Sequence, residues 1–311
     1  MHIGFLPNAA GTVVAPTRPY VPGKNLWGAV TASLAEQMFD SPRPENFAAV
    51  GGDLRMSAVF SYFYLSDGEQ IFVPTYETGE LSWAGLSYSE FRARFIESRM
   101  STKISKNGAA QDGSLREIEF VRHRVGSPTT GTKPTLLCGV VWVARDGKIA
   151  DERLEIEGAS PVRLVGKSRL PLFADLTVGG ERNYGFGRVR CVRTPDNLEK
   201  KLEAIWPAEF SRFGLKGPLL GHSTFSENLS FKGLVEIVAS REYPQHGKAS
   251  YELPGRNVLS SRYFFAPGTV VVTNANASLD PIGRIVLKPT SIPDEGCSSH
   301  SAKSNPSPTQ E

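Results

Sequence analysis

The sequence predicts an α+β protein, and three observations point there. Apolar residues recur at a spacing of four in only a few short stretches. Compact apolar or alternating runs of strand length fill much of the remainder. The two kinds of segment do not alternate regularly, so a doubly wound parallel sheet is not expected. At 311 residues, 40% hydrophobic and 22% charged, the chain is large enough for one large domain or two smaller ones.

Residues 1 to 23 are rich in Gly, Pro, Ala and Thr and read as a short strand followed by a loop. From Lys24 to Phe39 the stripe Leu26, Val30, Leu34 and Met38 predicts a helix, stopped by Asp40-Ser41-Pro42. That stripe, and Trp27 beside Gly28, are expected in the core. Val59-Phe60-Ser61-Tyr62-Phe63-Tyr64-Leu65 reads as a buried strand. Ser89 to Ile96 reads as a short helix capped by Ser87 or Ser89. Leu115 to Arg124 alternates in strand fashion, Leu136 to Ala144 is a compact apolar strand, and Arg163 to Leu172 is a weaker one.

Arg188 to Arg193 predicts a strand with Val189 and Cys191 on one face and Arg188 and Arg190 on the other. A short helix follows Pro195 and runs to about Trp206. Beyond it Gly233 to Ala239, Tyr263 to Phe265 and Thr269 to Val272 are β-like. From Ser291 the chain is rich in Ser and Pro without apolar periodicity, and 291–311 reads as a disordered tail.

Composition narrows the function classes. No apolar run approaches the roughly 18 residues of a membrane span, and no basic stretch with an apolar core opens the chain. A cytoplasmic protein without a membrane partner is expected. Cys138, Cys191 and Cys297 are odd in number and far apart, which excludes a disulfide framework and a paired-cysteine zinc spacing. His2, His123, His222, His246 and His300 show no ligand spacing, so neither a metal nor a cofactor is expected. Asp53 and Glu119 have no evident partner.

Charge is distributed unevenly. Arg92 to Arg124 carries a net +4 and Val162 to Arg193 a net +5, leaving −6 on the rest of a chain whose total is +3. Two basic stretches in an otherwise acidic chain suit a polyanion. Glycines sit beside cations and aromatics at three places. These are Pro22-Gly23-Lys24-Asn25-Leu26-Trp27-Gly28, Ser101-Thr102-Lys103-Ile104-Ser105-Lys106-Asn107-Gly108, and Val178-Gly179-Gly180-Glu181-Arg182-Asn183-Tyr184-Gly185-Phe186-Gly187-Arg188. Glycine admits close backbone approach, while the cations and rings offer phosphate contacts and stacking faces.

Nucleotide-cofactor readings fail on context. Gly23-Lys24 has Arg18 where a phosphate-binding loop needs Gly and Asn25 where it needs Ser or Thr. Gly180 to Gly187 is followed by a strand-like segment where a dinucleotide fingerprint requires a helix.

Three segments together resemble the RAMP proteins, the backbone subunits of type III CRISPR effector complexes. Pro19-Tyr20-Val21-Pro22-Gly23-Lys24-Asn25-Leu26-Trp27-Gly28-Ala29 looks like their proline-glycine turn and first helix. Val178 to Val189, with Gly185-Phe186-Gly187-Arg188, looks like their glycine-rich loop. Thr102-Lys103-Ile104 through Gly108-Ala109 to Gly113-Ser114-Leu115 and Glu119 is similar to the family's hairpin, and His2-Ile3-Gly4 to the turn closing its first strand. The match covers residues 1 to about 193.

The resemblance implies a ferredoxin-like (RRM-like) core with large insertions over 1–195, then a β-rich extension or second ferredoxin-like unit over 196–290. It implies a protein holding CRISPR guide RNA and target RNA beside other effector subunits in antiviral defence. The RNA-binding residues would be Gly23, Lys24, Asn25, Lys103, Lys106, Gly179, Gly180, Arg182, Asn183, Tyr184, Gly185, Phe186, Gly187 and Arg188. Two departures stand out. The family's apolar strand before His-Ile-Gly is lacking, so the start is displaced or that strand is a stub. The subunits that cut target RNA carry an Asp shortly before the proline-glycine turn, whereas Thr12 to Pro19 contains no acid. Target cleavage is therefore not expected. The alternative is a metal-independent endoribonuclease that processes precursor guide RNA, with His2 or Tyr20 as the base.

Overall fold

A computed structural model describes residues 1–4, 13–127, 129, 131–156, 162–165, 169–173, 175–215, 217–241, 258–272 and 276–288. The expected tail 291–311 lies outside the described residues. The fold is mixed α+β, with four α-helices and several small sheets among the described residues.

Helix α1 (Gly23–Met38) forms where the four-residue stripe predicts it and buries Leu26, Val30 and Leu34. Helix α2 (Pro44–Ser57) packs on it through Val50 and Leu54. This second helix is not foreseen from the sequence, because Gly51-Gly52 lowers helix propensity by roughly 1 kcal/mol per residue. Its start is favoured by Pro44 in the first turn and by Asn46 Oδ1, which accepts from the Arg43 N–H at 2.8 Å. The glycine serves packing: a Cβ at Gly51 would come within 2.8 Å of the Trp27 ring. Trp27 Nε1 donates to the Gly51 carbonyl at 3.0 Å, and the Arg55 guanidinium lies 4.2 Å from the indole centroid.

The buried aromatic run forms two strands, Ala58–Phe60 and Phe63–Ser66, which pair with Val141–Val143 and Leu136–Cys138 respectively. The expected strand over 136–144 breaks at the same level. Ser61 N–H donates to the Val140 carbonyl at 2.9 Å, and Val140 N–H to Ser61 Oγ at 2.8 Å, so the two interruptions satisfy each other. Both faces of this layer are covered. Ala58 and Phe60 join the α1/α2 core, while Val59, Tyr62 and Tyr64 join a second core. Double burial explains the unbroken apolar run.

The second core draws on α3 (Tyr88–Phe95), α4 (Asp196–Ile205) and a six-stranded C-terminal sheet. In spatial order that sheet is Phe213–Gly214, Asn276–Leu279, Ile285–Lys288, Ser223–Thr224, Val258–Phe265 and Val235–Arg241. Leu198, Leu202 and Trp206 share this core with Tyr64, Phe91 and Phe265, so one apolar interior is built from both sides of residue 195. Helix α3 starts at a capping box in which Ser87 Oγ accepts from Glu90 N–H and Glu90 accepts from Ser87 N–H. The strand foreseen over 188–193 ends at Arg190. Arg188 and Arg190 are exposed as expected, but Cys191 and Val192 are exposed too, since no strand continues to carry them inward.

Candidate nucleic-acid interface

The glycine-rich segment is the loop of a β-hairpin. Asp175–Thr177 pairs with Arg188–Arg190, and Val178 N–H donates to the Gly187 carbonyl at 2.8 Å. At the tip Glu181 (φ 56°) and Gly185 (φ 80°) are left-handed and bracket a 3₁₀ turn, Arg182–Tyr184. The turn closes by Tyr184 N–H to the Glu181 carbonyl and Gly185 N–H to the Arg182 carbonyl, both at 2.9 Å. Arg182, Asn183, Tyr184, Gly185 and Arg188 are exposed, Gly187 is buried and Phe186 is half-buried. The loop therefore presents two arginines and a tyrosine over an anchored base.

The anchor is the N-terminal turn. His2 and Gly180 form an antiparallel bridge, with Gly180 N–H donating to the His2 carbonyl at 2.9 Å. His2 Nδ1 donates to the Glu119 carbonyl at 2.7 Å, which fixes its tautomer from the network. Ile3 N–H donates to Thr17 Oγ1 at 2.8 Å, and Arg18 N–H to the Ile3 carbonyl at 2.8 Å. Glu119, unpartnered on the sequence alone, accepts from Arg92 at 2.5 Å and from Thr17 N–H at 3.2 Å. Asp53 likewise accepts from Ala150 N–H at 2.9 Å.

A long hairpin, Ile96–Ser101 paired with Arg116–Val121, rises beside the loop. Residues 116, 118 and 120 share one face of its second strand. On that face Phe120 meets Phe186 at 5.0 Å between ring centroids, the Arg116 guanidinium lies 4.6 Å from the Tyr184 centroid, and Ile118 is buried. Beyond the last pair, Ser101 with Arg116, residues 102–115 form a tip bonded to itself. Ser105 N–H donates to the Ala109 carbonyl, Gln111 N–H to the Lys103 carbonyl, and Lys103 N–H to Ser114 Oγ. Lys103, Lys106 and Ile104 are exposed there, Ile104 at 73%.

The proline-glycine turn is placed differently. Gly23 is buried, and a Cβ there would collide with the carbonyls of Phe60 and Ile282, so this glycine serves close packing against the C-terminal segment. Lys24 and Asn25 are half-buried in the first turn of α1. Leu26 shares a core with Leu176 and Val178, which seats α1 against the stem of the glycine-rich hairpin. The structure thus joins 179–188 to the stem of the long hairpin through His2. It leaves Lys103 and Lys106 at the far tip and buries Gly23.

A polar network unforeseen in the sequence lies behind the loop that precedes the proline-glycine turn. Arg18 pairs bidentately with Glu236, at 3.0 and 2.8 Å, and donates to the Tyr20 hydroxyl at 2.6 Å. His222 Nε2 donates to Glu236 at 2.6 Å, and Tyr62 donates to His222 Nδ1 at 2.6 Å. Burial opposes the Glu236 charge, but hydrogen bonds from His222 and Arg18 outweigh it and hold the carboxyl at about 2. Burial pushes His222 below its ordinary value, against the pull of Glu236. Burial also raises the Tyr20 phenol well above its ordinary range. Arg18 and Tyr20 lie more than 200 residues from Glu236, so no local spacing could signal the set. Among the described residues no cluster of three or more His, Cys, Asp or Glu could hold a metal ion, and no helix is long and apolar enough to cross a membrane. Neither a scan against protein-family models nor a search of curated proteins finds a match to this chain.

Proposed function

We propose that this chain is an RNA-binding structural subunit of a type III CRISPR ribonucleoprotein, a RAMP protein that holds guide RNA without cutting the target. The observation that carries the reading is one surface. An exposed Arg182–Tyr184 turn is tied through His2 to a projecting hairpin whose tip offers Lys103 and Lys106. Exposed cations on short-range-bonded loops contact phosphates without reading bases. On this reading α1, α2 and the strands beneath them stand for the family's ferredoxin-like core, and the long hairpin and the segment after residue 195 are additions to it. The subunit works in the cytoplasm with other effector subunits.

The endoribonuclease alternative is disfavoured by its own candidates. Tyr20 is buried among Tyr62, Tyr64 and Trp83, with its hydroxyl engaged by Arg18. His2 is buried, 7% exposed, where it anchors the glycine-rich loop. Target cleavage lacks a carboxylate in residues 13–19, and Arg18 is committed to Glu236 rather than free to meet a phosphate.

Photocrosslinking with 4-thiouridine-substituted single-stranded RNA tests the reading. Crosslinks are expected on 102–115 and 179–188. Crosslinks confined to the C-terminal sheet would contradict it.

A further inference from the structure

We infer that the glycine-rich loop carries a stacking platform for one unpaired nucleobase, formed by Tyr184 with Arg116 and Glu181 behind it. This deepens the RNA-binding reading and rests on it. Tyr184 ends the 3₁₀ turn and is 57% exposed, an unusual position for a large aromatic. The Arg116 guanidinium covers one face of that ring at 4.6 Å, so the exposure belongs to the rest of it.

Arg116 is held where it is. Its Nε donates to Ser101 Oγ at 3.4 Å, and its Nη2 lies 3.8 Å from Glu181 Oε2. Nη2 is buried without a hydrogen-bond partner among the described residues. Glu181 takes a left-handed conformation that non-glycine residues seldom adopt, and that bend brings its carboxylate toward Arg116. At the end of the turn, no atom beyond the chain neighbours lies within 4 Å of where a Gly185 Cβ would stand, so that position borders open space.

An exposed tyrosine backed by a cation, beside two exposed arginines, suits a flat π-ligand tethered to phosphate. An unpaired base of an RNA strand whose backbone runs over Arg182 and Arg188 has that chemistry. An apolar protein side chain does not, since it would strand both arginines. Every base has a π-face, so the platform needs no sequence preference.

The test uses the full chain, a mixed-sequence single-stranded RNA, and an oligomer of equal length carrying abasic residues. Tyr184→Leu is expected to weaken binding of the normal RNA by roughly five- to 150-fold, the size of one base–aromatic stack. Tyr184→Phe should retain affinity, and both variants should keep the wild-type salt dependence. On the abasic oligomer, wild type and Tyr184→Leu should bind alike. An equal loss on the abasic oligomer would overturn the platform. So would normal binding by Tyr184→Leu while Arg182→Ser with Arg188→Ser weakens it, although the RNA-binding reading would then stand. A wild-type protein without affinity for RNA at any salt concentration would overturn both.

Discussion

Gly179 and Gly185 both have positive φ, at 91° and 80°, but their surroundings differ. A Cβ at Gly179 would collide with the His2 carbonyl, which is also the acceptor that anchors the loop. At Gly185 the space is empty, so a side chain there pays only the backbone strain. Gly179→Ala should therefore cost about 1–3 kcal/mol of stability, and Gly185→Ala only about 1 kcal/mol. Thermal melts of the two variants decide this, and an equal or reversed order would contradict the anchoring role. The sequence showed that this stretch needs glycine, but not which glycine supports the fold and which borders open space. That distinction depends on His2, almost 180 residues away. Arg116 was hidden for the same reason, because its relation to Tyr184 arises only when two hairpins meet.

Elements were legible where local chemistry decides them. The spacing of Leu26, Val30 and Leu34 places α1, and the serine cap places α3. Helix α2 was illegible because Gly51 and Gly52 are poor helix formers, tolerated for contact with Trp27. The runs over 59–65 and 136–144 read as single strands because both faces of the layer are apolar, while the break at Ser61 is set by its partner Val140. The long hairpin divides into a stem packed on the glycine-rich loop and a tip bonded mainly to itself. The tip begins beside the loop, because Arg116, the last paired residue of the stem, is the one that meets Tyr184. Replacing 102–115 by a two-residue Asn-Gly turn should leave the thermal midpoint within a few degrees and weaken RNA binding. A large loss of stability would show that the tip supports the fold. Unchanged affinity would remove Lys103 and Lys106 from the interface.

At the scale of the molecule, the network of Arg18, Glu236, His222 and Tyr62 ties the segment before α1 to the C-terminal sheet. His222 and Glu236 have depressed values in the folded state. The contribution of His222 is fully present above its ordinary 6.5 and is lost as the pH falls below it. That of Glu236 is present above 4.5 and is lost as the pH approaches about 2. Stability should decline from pH 7 to pH 5 in denaturant titrations, and His222→Gln should shrink that decline. A flat or rising profile in the wild type would contradict the assignment. Glu236→Gln leaves Arg18 buried against a neutral partner and should cost about 3–5 kcal/mol.

The central claim is that exposed cations on two anchored hairpins hold an RNA backbone. The most direct measurement is the affinity of the full chain for single-stranded RNA as a function of salt. A linear fall of log affinity with log salt is expected, with a slope of roughly 0.7 per phosphate neutralised, alike for oligonucleotides of different sequence. Substituting Lys103, Lys106, Arg182 and Arg188 with serine should flatten that slope. Affinity independent of salt, or confined to one sequence, would contradict the claim.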